Sequence, residues 1–185
     1  HTNLRSASGQ LAVAVLGRAQ RLISSFTARP GDRLLVAVDL RGQWQGDAPF
    51  WNASTAAPAE RLRGDMALLP MLAEAGLVDA GKDISMAGVL GTALMLLECS
   101  GVGATVDLAR LPRPAGVPDW SQADGAAQRL RWLNAFPSFG YVLSVRPELA
   151  DATVERFTQR GIACVDVGTV HRGSVLALQL GDARV

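Results

Sequence analysis

Lys82, Asp83 and Ser85 form a charged, hydrogen-bonding cluster directly ahead of the small-residue run Ala87-Gly88-Val89-Leu90-Gly91. These residue types in that order fit one kind of chemistry. A carboxylate only accepts, so Asp83 would bind a metal ion or orient a donor group. Ser85, with backbone amides at a helix start near Gly88, would hold an anion, and Lys82 would neutralise phosphate charge. Lys82 is the sole lysine of the chain; every other basic position is an arginine.

The same residues also have a purely structural reading. Ser85 would be an N-cap, and Asp83 would complement the helix dipole, worth ~1 kcal/mol. Gly88 and Gly91 would let the helix pack closely on a sheet. A glycine inside a helix costs ~1 kcal/mol relative to alanine, so two of them need a close approach, whether of packing or of ligand. The spacing leaves both readings open.

The elements that must position this cluster follow from the apolar pattern. The apolar helix runs from Thr92 to Glu98 and stops at Gly101 and Gly103. Upstream, Leu11 to Leu16 reads as a short strand, and 18–27 as undecided between a strand and a helical turn. The Arg29-Pro30-Gly31-Asp32 turn delivers RLLVAVD, Arg33 to Asp39, a strand apolar enough to be buried on both faces. Leu40 to Ala57 reads as a long loop without period, carrying Trp44, Phe50 and Trp51 either as a lid on the core or as a flap over a substrate. Pro58 to Gly76 is an amphipathic helix with Leu62, Met66, Leu69 and Leu72 or Ala73 on one face, which Pro70 should kink or divide.

Downstream, the pattern predicts a strand at Ala104 to Leu108, a proline-rich segment, and a helix from Ser121 to Asn134 anchored by Trp120 and Trp132. A strand at Tyr141 to Val145 and a helix from Pro147 to Gly161 follow. Two strands around a His171-Arg172-Gly173 turn complete the chain. Leu94, Leu97, Val106, Val142, Leu143 and Val165 are the expected core. The order predicts an α/β (α+β) layered domain, a mixed or antiparallel sheet packed by helices.

Composition narrows the function classes. With 18 basic and 17 acidic residues among 185 and half the chain apolar, this is one globular domain with a substantial core. The arginines are interspersed with acids and form no basic stripe, which argues against a nucleic-acid binder. No apolar run approaches the ~20 residues of a membrane span. Cys99 and Cys164 read as buried thiols of a reducing, cytoplasmic compartment and make no metal-ligand pattern. Arg61 and Arg63 would meet a phosphate or, more simply, lie on a solvated helix face. His171 reads as an exposed turn residue and Glu98 as a local partner. The Asn52-Ala53-Ser54 triplet matches a glycosylation acceptor by chance.

The stretch KDISMAGVLGTALMLLECSGVGATVDL, followed by FPSFGYVLSV, resembles the carboxyl-terminal domain of the AIR synthase-like (PurM-like) superfamily. The match lies in Lys82-Asp83-Ile84-Ser85 ahead of Gly88, in Glu98 to Leu108, and in Ser138-Phe139-Gly140. The branch it looks closest to is the AIR synthase-related proteins of nitrilase-type gene clusters. His1 and Thr2 resemble the tail of a Gly-Gly-His-Thr segment that closes the family's amino-terminal domain. The resemblance implies a ferredoxin-like partial topology. It also implies ATP and Mg²⁺ in the full-length protein, neither expected in this chain alone, and phosphoryl transfer to a small-molecule substrate. Asp83 would be catalytic; Lys82, Ser85, Gly88, His1 and Thr2 would bind substrate or phosphate. Residues 1–10 would then be the tail of a missing amino-terminal ATP-binding domain or a linker, 11–185 the domain itself, and the whole a homodimer. The alternative is a binding or assembly domain that keeps the fold without the chemistry.

Overall fold

The computed structural model describes residues 13–120, 122–181 and 183–184. Its central strand is β1, Arg33–Val38, whose near-continuous apolar run is buried from Leu34 to Val38. Alternate residues serve opposite layers: Leu34, Val36 and Val38 face one core, Leu35 and Ala37 the other. Each fully buried leucine of this kind stabilises the fold by roughly 1.5–3 kcal/mol. Both faces of the strand must therefore be covered.

The second face is covered by α2 (Leu68–Glu74) and α5 (Pro147–Thr158), through Leu68, Leu72, Ala150 and Phe157, and α1 (Ala59–Met66) leads into α2. Pro70 does divide the expected 58–76 helix, but the break falls at Ala67. Proline has no N–H to give to the carbonyl four residues back, that of Met66, and its ring crowds that carbonyl. The first helix therefore ends at Met66, and Pro70 sits in the first turn of the next. The break also shifts the apolar stripe, burying Asp65, Leu68 and Leu72 and leaving Met66 71% exposed. The first face is covered by α3, Gly88–Ser100, through Val89, Ala93, Leu96 and Leu97. It starts at Gly88, near where a helix start is expected and four residues ahead of the apolar run from Thr92, and ends at Gly101, whose φ is +66°.

Four further strands follow in chain order around β1: β4 (Ala80–Asp83), β5 (Gly103–Asp107), β7 (Gly140–Val145) and β8 (Ala163–His171). Two more, β9 (Leu176–Leu180) and β10 (Ala183–Arg184), close the chain. The seven-stranded sheet has the order β10-β9-β5-β8-β1-β7-β4. All its pairs are antiparallel except β5 with β9. The mixed sheet packed by helices is the expected architecture. The expected hairpin around His171 is not formed, because β5 lies between β8 and β9 and bonds to both.

The expected loop over 40–57 is partly ordered. It holds β2 (Gln43–Trp44) and β3 (Phe50–Asn52), which join β6 (Phe136–Pro137) in a three-stranded sheet. Trp44, Trp51 and Trp132 meet edge to face, with centroids 5.4–6.0 Å apart. Burial of Trp51 and Trp132 makes the segment a lid on the core. Helix α4, Ala126–Leu133, begins five residues later than expected, after Gly125 with φ +87°. Val13 to Leu16 are exposed and in no strand; Leu11 and Ala12 lie outside the described residues. Of the expected core, Leu94 is instead 48% exposed and Val165 half-buried. Cys99 is exposed on α3, whereas Cys164 is buried as expected.

Candidate functional site

Strand β4 is the last strand of the large sheet, its outer edge bridged at Ala80 by Ser24, and it pairs with β7 in the register Lys82↔Val142 and Asp83↔Tyr141. That register places Asp83 on the face of α2 and α5, beside Tyr141, which in turn stacks edge to face on Phe139 at 5.1 Å. Burial pushes the Tyr141 phenol above its ordinary pKa, and the Asp83 carboxylate pushes it further. Lys82 forms an ion pair with Asp83 through Nζ and Oδ1. With the Asp83 side chain 60% exposed, such a pair is worth ~0–1 kcal/mol. An open groove of ≈ 600 Å³ runs alongside, lined by Arg18, Arg21, Glu74, Lys82, Asp83 and Tyr141 among others.

Past Asp83 the chain turns at once into α3. Ile84 is buried, and its N–H donates to Gly140 O (2.9 Å). The Ser85 N–H donates to Thr92 Oγ1 (3.2 Å), while Ser85 O accepts from Gly88 N (2.9 Å). Ser85 is therefore not the cap: Ala87 occupies that position, and no side chain caps α3. Gly88 has φ +65°, and a Cβ there would meet Leu133 O at 2.0 Å. Its lack of a side chain lets α3 pack against the end of α4. Lys82, Asp83, Ser85 and Gly88 thus follow one another at one sheet end, Lys82 and Asp83 lining the groove and Gly88 packing on α4; His1 and Thr2 lie outside the described residues.

The same end of the sheet carries a second cluster that the sequence did not disclose. Strands β1 and β4 run parallel to one another, both antiparallel to β7 between them, so their carboxyl ends lie about 10 Å apart, two strand spacings. Asp39 follows β1 in phase with Leu35 and Ala37, and its N–H donates to Phe139 O (3.1 Å). Its buried carboxylate accepts from the Arg41 N–H (3.0 Å) and Arg41 Nε (2.8 Å). Asp65, equally buried, accepts from Arg41 Nη2 (3.1 Å) and Arg160 Nε (3.0 Å). Arg61 lies 3.6 Å from Asp39 and donates to Ala53 O, so it is not on a solvated face; Arg63 is. The hydrogen bond that Arg41 donates to the Asp39 carboxylate raises the Arg41 pKa above its ordinary value. The Ser138 N–H donates to Trp51 O (2.9 Å), and its hydroxyl accepts from the Ala53 N–H (2.9 Å), tying the lid to the start of β7.

The arginine cluster draws on three segments separated by up to about a hundred residues. Its only local sign is an aspartate at position 65 on a helix otherwise read for its apolar stripe. Among the described residues, no group of three or more His, Cys, Asp or Glu could hold a metal ion. None of the helices there is long and apolar enough to cross a membrane. Asp83 alone fits one contributed ligand rather than a complete metal site, since Mg²⁺ is commonly held by one or two carboxylates together with substrate phosphates.

Residues 29–181 match the family model described as "AIR synthase related protein, C-terminal domain". The uncharacterised protein sll0787 of Synechocystis sp. is 44% identical over 183 residues, covering 98% of this chain and 54% of that protein. The uncharacterised protein MJ0640 of Methanocaldococcus jannaschii is 32% identical over 151 residues, covering 80% and 44%. The chain thus spans about half the length of the curated relatives it matches. Among solved structures, Thermotoga maritima PurL complexed with ATP superposes with a TM-score of 0.66 at 19% identity, over 89% of this chain and 26% of that one. Thiamine-monophosphate kinase from Stenotrophomonas maltophilia gives 0.62 at 22%, over 89% and 54%. These structural likenesses establish the shared fold. On the match across most of its length, the chain belongs to the AIR synthase related family, as its carboxyl-terminal domain.

Proposed function

We propose that this chain is the substrate- and phosphate-binding half of an ATP-dependent enzyme of phosphoryl-transfer or ligase type. The observation that carries the proposal is the position of Asp83. Its carboxylate is exposed on the last strand of the sheet, beside a groove, and five residues on the chain enters a helix whose N-terminus has no side-chain cap. Amides at such a terminus favour a phosphate, and a carboxylate beside it can share a Mg²⁺ ion that the phosphate brings. ATP with Mg²⁺ would supply the activated phosphoryl group. Lys82 would keep charge balanced at the site, Ser85 would donate to an anion, and Tyr141 would exclude water from one side of Asp83. The likeness to Thermotoga maritima PurL complexed with ATP and with AMPPCP supports nucleotide use. The remaining half of a relative-length protein would supply most of the nucleotide site, pairing into a homodimer in the cytoplasm.

In a full-length protein, Asp83→Asn is expected to abolish ATP consumption against a metabolite panel while leaving the melting temperature unchanged. A variant that melts normally and turns over at the wild-type rate would end this reading. A second reading, a binding or assembly domain without chemistry, is favoured by one observation. Lys82 already neutralises Asp83, and the Gly88 amide is used within the turn. Unchanged ATP consumption in Asp83→Asn would select it.

A further inference from the structure

We propose that the groove between the β1–β3 segment and the start of α1 binds the oxyanion group of a small acidic molecule, with Arg61 and Arg41 as its cationic floor. The groove has a volume of ≈ 370 Å³, within the range of small-molecule sites. Besides the two arginines, its polar lining consists of Gln43, Gln45, Asn52 and Thr55, and no carboxylate borders it. The acids that hold the arginines lie behind them. The Asp39 and Asp65 side chains are each 3% exposed, whereas Arg41, Arg61 and Arg160 keep 35, 23 and 37% of theirs in contact with solvent. A solute in the groove meets guanidinium edges and not the carboxylates.

Charge counting points the same way. Two carboxylates face three guanidiniums, which leaves one positive charge held rigidly at the rim. Three guanidiniums sharing two carboxylates repel one another, and an added anion would relieve that repulsion. Arg61 is the most enclosed of the three and borders the groove. It donates through Nη2 to Ala53 O, its Nε is buried without a hydrogen bond, and its Nη1 makes none among the described residues. Guanidinium groups suit phosphate and carboxylate oxygens because their donors form a planar fork. The neighbouring groove, bordered by Arg41, Arg61, Arg160 and Gln159, also holds Glu60, a carboxylate that the first groove lacks.

The backbone around the groove is built to keep it open. A Cβ at Gly42 would meet Asn52 O and Trp51 Nε1, each at 2.7 Å, so the floor sits directly on the lid strand. The Asn52 side chain accepts from the Ser54 and Thr55 N–H groups and donates to Gln45, which holds the far wall. Helix α1 opens onto the groove through Ala56, Ala57 and Pro58, and no side chain caps it. The site involves neither Asp83 nor Lys82, and it stands whether or not the chain takes part in phosphoryl transfer.

The test is a titration of this chain at constant ionic strength, following the arginine Nε–H signals by NMR. Inorganic phosphate serves as one arm, malonate as the other, and chloride as the control. Saturable shifts at Arg41 and Arg61 in either arm are expected, and the arm that saturates identifies the oxyanion class. Ala56→Glu sets a carboxylate at the exposed rim and removes no hydrogen bond, so it should fold as wild type and bind about tenfold more weakly. Arg61→Gln should lose binding to at least that extent. No saturable shift with either anion overturns the proposal, as does a folded Ala56→Glu protein that binds as tightly as the wild type.

Discussion

Replacing Gly88 with alanine decides whether this glycine serves packing or ligand approach, and the structure sets the expected size. At φ +65° an L-residue pays about 1–2 kcal/mol for left-handed backbone. The added Cβ would lie 2.0 Å from Leu133 O and 2.7 Å from Asn134 Cα, both backbone atoms that cannot swing aside. Helices α3 and α4 would have to separate by about 1 Å, and overpacking of this kind costs about 1–3 kcal/mol. The sum is about 2–5 kcal/mol. Gly101→Ala is the control, because its φ is +66° but nothing lies within 4 Å of its would-be Cβ. It should cost only the backbone part, about 1–2 kcal/mol. Urea unfolding followed by tryptophan fluorescence and far-ultraviolet circular dichroism measures both. A Gly88→Ala protein no less stable than Gly101→Ala would refute the packing argument and return the residue to the ligand reading.

Three further outcomes are expected. Asp65→Asn removes the buried partner of Arg41 and Arg160; breaking such a pair costs about 3–5 kcal/mol when buried, and about 2–3 here because the arginines are partly solvated, measurable by urea unfolding. Cys99 should react with a thiol reagent in the native protein and Cys164 only on unfolding, because burial pushes the Cys164 pKa to about 12. With a folded pKa raised above the unfolded ~8.5, the contribution of Cys164 is fully present below pH ~8.5 and is lost as pH rises toward the folded value, so stability of wild type relative to Cys164→Ala should fall above pH ~8.5. Titration of this chain with ATP and Mg²⁺ should show no micromolar binding by calorimetry, and micromolar affinity would mean the nucleotide site lies within these residues.

Strand β1 and helix α5 were legible in the sequence because their signals are local: a continuous apolar run after a Pro-Gly turn, and Pro147 at a helix start closed by Gly161. The division of the 58–76 helix was legible too, but not its position, since proline acts on the carbonyl four residues back. What failed was non-local. Nothing near His171 reveals that β5, some sixty residues earlier, comes between the two strands it joins. Leu94 and Cys99 sit in an apolar helix, and apolar composition alone does not say which side faces the sheet. The segment from Lys82 to Gly88 was found because its residues are contiguous. The Asp39, Arg41, Arg61, Asp65 and Arg160 cluster was missed because folding, not spacing, assembles it.

The central strand has a consequence for how the chain comes to be folded during synthesis. Strand β1 is complete by residue 38, yet its two partners are β7, beginning at residue 140, and β8, beginning at residue 163. An emerging chain therefore carries Leu34 to Val38, an apolar stretch with both edges unpaired, until about a hundred more residues have left the ribosome. At ~5–20 residues per second that interval is about 5–20 s. During it the strand is a template for pairing with any other extended segment, including the same strand on a neighbouring nascent chain. Arg33 and Asp39, which bracket the run, put a charge at each end of that waiting stretch.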